Sequence, residues 1–245
     1  MPTVLFSPHM DDVVLSAAVC LMRPGAELVT VFAGSPPASV GLTHWDRFTR
    51  ARSSAERHEQ RIAEDDRAMA ALGVTYRRLD EVDNQYREKP LDEDALALRL
   101  GVFVEQADEV WVPAAIGGHP DHVAVRDAVL AATDRMRDRR PGVVLYGDQP
   151  YSLFAGWPTW ITGEKPAEFL DPDYWLESEL AAQGFHQENL TGEFVELSVD
   201  QRCRKQAAVL CYRSQLAALP LDPRDTRRWE SFLRYEIAWR LAPMP

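Results

Sequence analysis

The stretch Val4-Leu5-Phe6-Ser7-Pro8-His9-Met10-Asp11-Asp12 joins a short apolar run to a polar turn, and a helical pattern starts directly behind it. An apolar run bounded by turn residues reads as a strand buried on both faces. The helix predicted from Asp12 to Met22 is stopped by Pro24-Gly25, and Leu28 to Phe32 reads as the next buried strand. The alternation continues outward. A long helix over Ser54 to Leu72 stops at Gly73, followed by a strand at Tyr76–Leu79, a helix at Leu91–Ala107 and a strand at Glu109–Pro113. A helix from Asp121 to Arg137 and a strand at Val143–Tyr146 complete the series. Repeated β-α-β order predicts an α/β fold: a doubly wound, mostly parallel, Rossmann-like sheet with helices on both faces.

Beyond Gly147 the pattern loosens. An aromatic, proline-bearing stretch to Asp173 precedes a short helix at Tyr174–Gln183 and a strand at Phe194–Leu197. A long helix is predicted from Val199 to Leu219 and a terminal helix from Trp229 to Leu241. No repeat or linker interrupts the chain, so one domain is expected over 1–245, its core in 1–150 and its pocket completed by 151–245. The 245 residues are 46% hydrophobic and 27% charged, ordinary values for a globular protein. A net charge of −11 argues against nucleic-acid or anionic-membrane partners, which need basic surface. The apolar run Val13–Met22 is too short to span a bilayer, and no signal peptide is evident. Three cysteines, Cys20, Cys203 and Cys211, have no metal-binding spacing and cannot all pair, so a reducing, cytoplasmic setting is expected. The sequence carries no signal of oligomeric state.

Ligands of doubly wound sheets bind beyond the carboxyl ends of the strands. There the chain places Ser7-Pro8-His9-Met10-Asp11-Asp12 after the first strand and Gly117-Gly118-His119-Pro120-Asp121-His122 after the fourth. Three of the six histidines lie in these two turns. His9 and Asp12 are three apart at a helix start, as are His119 and His122, so each pair can converge on one point. Two histidines and a carboxylate with one open position suit catalytic zinc. The turns offer six candidates (His9, Asp11, Asp12, His119, Asp121 and His122), more than three ligands require, and the remainder are free for proton transfer and charge stabilisation. Asp12 and Asp121 could each serve only as helix caps, but a cap needs no neighbouring histidine. His44, His58 and His186 have no such company and read as surface residues. No glycine-rich phosphate loop follows the first strand, which weakens a nucleotide-binding reading.

These motifs resemble the PIG-L (LmbE-like) family of zinc-dependent N-deacetylases. The resemblance rests on Ser7-Pro8-His9-Met10-Asp11-Asp12 and Gly118-His119-Pro120-Asp121-His122. It is reinforced by Arg61-x-x-Glu64 leading into Ala70-Ala71-Leu72-Gly73-Val74, by Gly147-Asp148-Gln149-Pro150-Tyr151, and by Lys205 with Tyr212-Arg213-Ser214-Gln215. It implies one zinc ion on His9, Asp12 and His122, although iron(II) and cobalt suit the same ligands. It implies Asp11 as general base toward the attacking water and His119 as oxyanion stabiliser or acid. Asp121 would then orient His119 or His122. The implied reaction removes an N-acetyl or other N-acyl group from an amino sugar or its conjugate. The rivals are a metal-dependent amidase acting on a non-sugar small molecule and a non-catalytic metal-binding descendant. The chain departs from many relatives at Met10, Val13 and Gly117; some relatives carry a catalytic tyrosine where Gly117 stands, which leaves Tyr86 and Tyr151 as candidates for that role. Arg47, Arg61, Asp83 and Tyr151 are the candidate substrate contacts, although structural ion pairs are the favoured reading of Arg47, Arg61 and Asp83, and Ser35–Ala55, with Trp45 and Asp46, is the candidate lid.

Overall fold

The computed structural model describes residues 2–136, 139–166, 168–216, 218–219 and 221–242. The first half runs β1 (Thr3–Ser7), α1 (Asp12–Ser16), α2 (Ala18–Leu21), β2 (Ala26–Thr30), α3 (His44–Phe48), α4 (Ser54–Leu72) and β3 (Thr75–Arg78). It continues through α5 (Glu93–Val104), β4 (Glu109–Pro113), α6 (Pro120–Asp134) and β5 (Gly142–Tyr146). Local signals set these limits. Ser53 caps α4 by accepting the Glu56 amide, and Gly73, at φ 66°, ends it in the left-handed conformation that glycine adopts without strain. The helix predicted to Arg137 is observed to Asp134, and Arg137 lies outside the described residues.

Strands β1 to β5 are parallel, and β1 lies between β2 and β4. The remaining elements are α7 (Thr159–Thr162), α8 (Pro172–Ala182), β6 (Leu190–Glu196), α9 (Val199–Val209), α10 (Arg213–Leu216), α11 (Thr226–Arg234) and β7 (Tyr235–Leu241). β7 runs antiparallel to both β5 and β6, which extends the sheet to the order β3-β2-β1-β4-β5-β7-β6. Alternate residues of each strand feed opposite layers. Leu5, Leu28, Val144 and Ala238 pack with α1, α2, α4, α9 and α11, whereas Val4, Phe6, Val29 and Leu145 pack with α5, α6 and α8. The doubly wound, mostly parallel reading therefore holds. No described helix is long and apolar enough to cross a membrane.

Three expectations are corrected. The terminal helix predicted from Trp229 to Leu241 is a helix only to Arg234; Tyr235-Glu236-Ile237-Ala238-Trp239 alternates between layers with a period of two, as a strand must. The predicted Val199–Leu219 helix stops at Val209, and Tyr212 turns inward, its hydroxyl donating to the Met10 carbonyl (2.9 Å) and sharing a 2.7 Å hydrogen bond with Asp65. The predicted first helix breaks at Ala17, with φ −144°. The break frees the Ala18 and Val19 amides, and both donate to the Glu236 carboxylate at 2.9 and 3.0 Å.

Glu236 also accepts from Lys205 Nζ at 2.9 Å, and Lys205 is fully buried. One carboxylate thus joins α9, β7 and the start of α2 behind the polar turn that follows β1. Removing one partner of such a pair leaves a buried charge without compensation. Glu236→Ala is expected to lower the unfolding free energy by about 3–5 kcal/mol; urea denaturation measures it, and an unchanged midpoint would contradict the structural role.

Candidate metal centre and its cavity

Because β1 and β4 are neighbours, the turns at their carboxyl ends face one another across the point where strand order reverses. After β4 the chain passes through Ala115 (φ 63°), Gly117 (φ 86°) and Gly118 (φ 68°) before entering α6. The positive φ of Gly117 is one that glycine adopts without strain, and the turn lies in contact with the Tyr151 ring of the loop that follows β5. His119 is the N-cap of α6, with its Nδ1 accepting the Asp121 amide at 3.2 Å.

The hydrogen bonds of each histidine decide what it can ligate. His9 Nε2 lies 3.0 Å from Asp121 Oδ2, and its Nδ1 lies 3.2 Å from Asp12 Oδ2. His122 Nδ1 lies 2.6 Å from Asp148 Oδ1, and its Nε2 lies 3.3 Å from the same Asp12 oxygen. A carboxylate behind each ring holds a proton on the rear nitrogen, so His9 Nδ1 and His122 Nε2 are the atoms turned toward Asp12, donating to it when the ring is protonated and offering a lone pair when a metal ion takes the place of that proton. Tetrahedral coordination at about 2.0–2.1 Å places donors about 3.3–3.4 Å apart, close to both separations. Each imidazole nitrogen thus stands at a distance from Asp12 Oδ2 that suits neighbouring donors on a divalent ion. His9, His119 and His122 also cluster closely enough to share an ion. His119, however, spends its Nδ1 lone pair on the Asp121 amide, which leaves the proton on Nε2 and makes that atom a donor.

The second close cluster, His9 with Asp83 and Asp121, is already satisfied by protein donors. Asp83 accepts from Arg61 (3.2 Å) and Gln85 (3.0 Å), and Asp121 accepts from the Asn84 amide (2.8 Å) and from Arg87. The charges reinforce the first site. Burial opposes a charge on His9, but Asp83, Asp12 and Asp121 outweigh it and raise its pKa well above the usual value. Burial likewise opposes charge on His122, yet Asp12 and Asp148 raise it to about 10. The surroundings thus favour positive charge at both rings. Burial, with His9 and His122 nearby, holds His119 down at about 4, so it is neutral. Burial and the adjacent Asp12 push Asp11 up to about 6.

The cavity encloses about 180 Å³ and is lined by His9, Asp11, Asp12, His119 and His122, with Trp45, Arg61, Asp83 and Tyr151 among the outer walls. Arg61 is paired with Asp83 and lies 4.0 Å from Asp11. Arg47 is exposed on α3 and is not part of the lining, because its neighbours take the inward directions. Asp46 is buried, accepting from Ser54 (2.6 Å) and Tyr86 (2.7 Å), while Trp45 donates to Gln215 (2.9 Å). Tyr86 is therefore engaged. The Tyr151 hydroxyl has no hydrogen-bond partner among the described residues. Asp121 differs from its expected place: its side chain backs His9, and only its amide touches His119. Asp148, in the turn after β5, has no role assigned from the sequence; the structure places it behind His122.

A doubly wound sheet with two histidines and an aspartate converging at its switch point defines a class of α/β proteins built around a metal-type site. The sequence pattern of the PIG-L family, described as GlcNAc-PI de-N-acetylase, matches residues 4–133, and the chain belongs to that family. It is 33% identical over 171 residues to a 2'-N-acetylparomamine deacetylase of Streptomyces fradiae, a match covering 61% of this chain and 57% of that protein. The chain thus spans little more than half the length of that relative. Its fold is similar to the zinc-inhibited form of teicoplanin deacetylase, with TM-score 0.74, 20% identity, and 99% and 98% of the two chains covered. It is also similar to the A40926 pseudoaglycone deacetylase, with TM-score 0.67, 26% identity, and coverage of 98% and 97%.

Asp12 and His119 are separable by substitution. Asp12→Ala is expected to lose the ion, whereas His119→Ala retains it. Asp148→Asn, which weakens the support behind His122, is expected to bind about 10–100-fold more weakly. Chelator competition with metal analysis reads all three; equal loss in Asp12→Ala and His119→Ala would contradict the assignment.

Proposed function

We propose that the protein is a metal-dependent N-deacetylase that hydrolyses the N-acyl group of an amino sugar or its conjugate. The observation that carries this reading is the approach of His9 Nδ1 and His122 Nε2 to Asp12 Oδ2, with the acid Asp11 one residue away. Family membership and the deacetylase activities named for the similar proteins support the reaction class, and the sugar-bearing names among them support an amino-sugar substrate. His9, Asp12 and His122 would hold the ion, zinc by donor type, with iron(II) and cobalt suited to the same set. When bound, the ion supplies Lewis acidity toward the amide carbonyl and the attacking water.

The chain's own groups do the rest. Asp11, with its pKa near 6, is poised to take a proton from water at neutral pH and to return it to the departing nitrogen. His119 is neutral, and its Nε2–H is a ready donor to the oxygen that gains charge as water adds to the carbonyl carbon. Breaking the C–N bond then releases an amine and a carboxylate. Asp121 fixes His9 and, through its amide, the tautomer of His119. Arg61, Asp83 and Tyr151 are assigned to the substrate, with Asp83 and Arg61 holding each other in place. The unpaired cysteines Cys20, Cys203 and Cys211 support a reducing, cytoplasmic setting.

The test is primary-amine release from a panel of N-acetylated amino sugars and non-sugar amides, with chelator and then zinc readdition. Release that stops with chelator and returns with zinc is the expected result; turnover confined to non-sugar amides would overturn the substrate class. Asp11→Asn is expected to reduce kcat by about 10²–10⁴-fold while leaving metal content intact. Full activity in that variant would remove Asp11 from the mechanism.

A further inference from the structure

The metal-site cavity is small and unevenly lined. Its volume of about 180 Å³ falls below the roughly 300 Å³ typical of the smallest ligand sites. One wall is polar: Arg61, Asp83, Asn84 and Gln85 present paired charges and amides, with the Trp45 ring beside them. A wall of this composition suits sugar hydroxyls and a sugar face. On the other side Pro150 and Tyr151 separate the cavity from a second one of about 900 Å³, which both residues also line. None of Trp45, Arg61, Asp83, Asn84 and Gln85 reaches this groove.

The groove is apolar where it matters. Phe154, 77% exposed, packs against Trp175 with ring centroids 5.9 Å apart and planes tilted by 38°, and Leu170 is 47% exposed beside them. Leu221 and Phe232, both buried, lie at its base. Its charged residues, Arg227 and Arg228 against Glu179 and Asp225, balance, so charge does not choose the occupant. Large aromatic groups left uncovered next to a reaction site mark a place where apolar surface is buried by a ligand.

We propose that this groove is an acyl-chain subsite, and that the substrate is an amino sugar bearing a long or aromatic N-acyl group. The inference rests on the deacylase reading above. With the amide at the metal site and the sugar against the polar wall, the acyl substituent points the opposite way, past Tyr151 and into the groove. Hydrolysis consumes one water, breaks the amide C–N bond, frees the sugar amine and leaves the chain as a carboxylic acid. Tyr151 is the gate between the two spaces, its ring packed on Gly117.

The experiment varies one end of the substrate at a time. Glucosamine N-acylated with acetyl, butyryl, hexanoyl, octanoyl or phenylacetyl forms the first arm, and N-acetylglucosamine as methyl or octyl glycoside forms the second. The expected result is a rise in kcat/KM of about tenfold or more from acetyl to octanoyl, as apolar surface is buried, with no gain from octyl glycosides. Phe154→Ala and Trp175→Ala are expected to pull the octanoyl-to-acetyl ratio toward one. A gain only in the glycoside arm would overturn the acyl assignment, and a flat response in both would overturn the subsite. Calorimetric binding keeps the two readings separable. If no amide turns over, the deacylase reading fails, while N-octanoylglucosamine binding tenfold tighter than N-acetylglucosamine to wild type, and not to Phe154→Ala, would still establish the groove. Equal binding of the two ligands by wild type would overturn it.

Discussion

The candidate site depends on two carboxylates that stand behind two imidazoles. Asp121 against His9 and Asp148 against His122 hold a proton on the rear ring nitrogen, and so fix which nitrogen faces Asp12. Without them the rings could present either nitrogen, and three donors would not converge. Each carboxylate is itself held: Asp121 by the Asn84 amide and Arg87, Asp148 by the Ile116 amide. Those partners come from the loops after β3 and β4. The site therefore draws on the ends of β1, β3, β4 and β5, although its candidate ligands come from two turns.

The same logic explains the division of labour among neighbouring residues of similar type. His119 and His122 stand three apart on one helix start, yet His119 accepts from a backbone amide while His122 donates to a carboxylate. That difference leaves His119 a neutral donor and His122 a ligand candidate. Asp11 and Asp12 are adjacent, yet Asp12 lies between two imidazoles while Asp11 has only Arg61 at 4.0 Å. Burial and the charge of Asp12 then raise Asp11 toward neutrality. One dipeptide carries both the candidate ligand and the candidate base because a helix start turns the two side chains in different directions.

Much of this was legible in the sequence. Strands of continuous apolar residues, alternating with capped helices, read clearly as far as Tyr146, and the strand-end rule pointed to both metal-type turns. What was not legible depended on contacts between distant segments. The break at Ala17 follows from a carboxylate at Glu236, 218 residues away from the amide of Ala18. The last strand was masked by its junction with α11, where Trp229, Phe232 and Leu233 continue a helical spacing into Tyr235. Asp148 lies in the motif after β5, but its role depends on a contact with His122 on α6, and Arg47 is turned outward because Asp46 takes the inward position.

Crystals grown with zinc and measured at the zinc absorption edge test the account most directly. The predicted result is a single strong anomalous peak within bonding distance of His9 Nδ1, Asp12 Oδ2 and His122 Nε2, with His119 Nε2 outside that distance. A peak bonded to His119 in place of Asp12, or one seated among His9, Asp83 and Asp121, would contradict it.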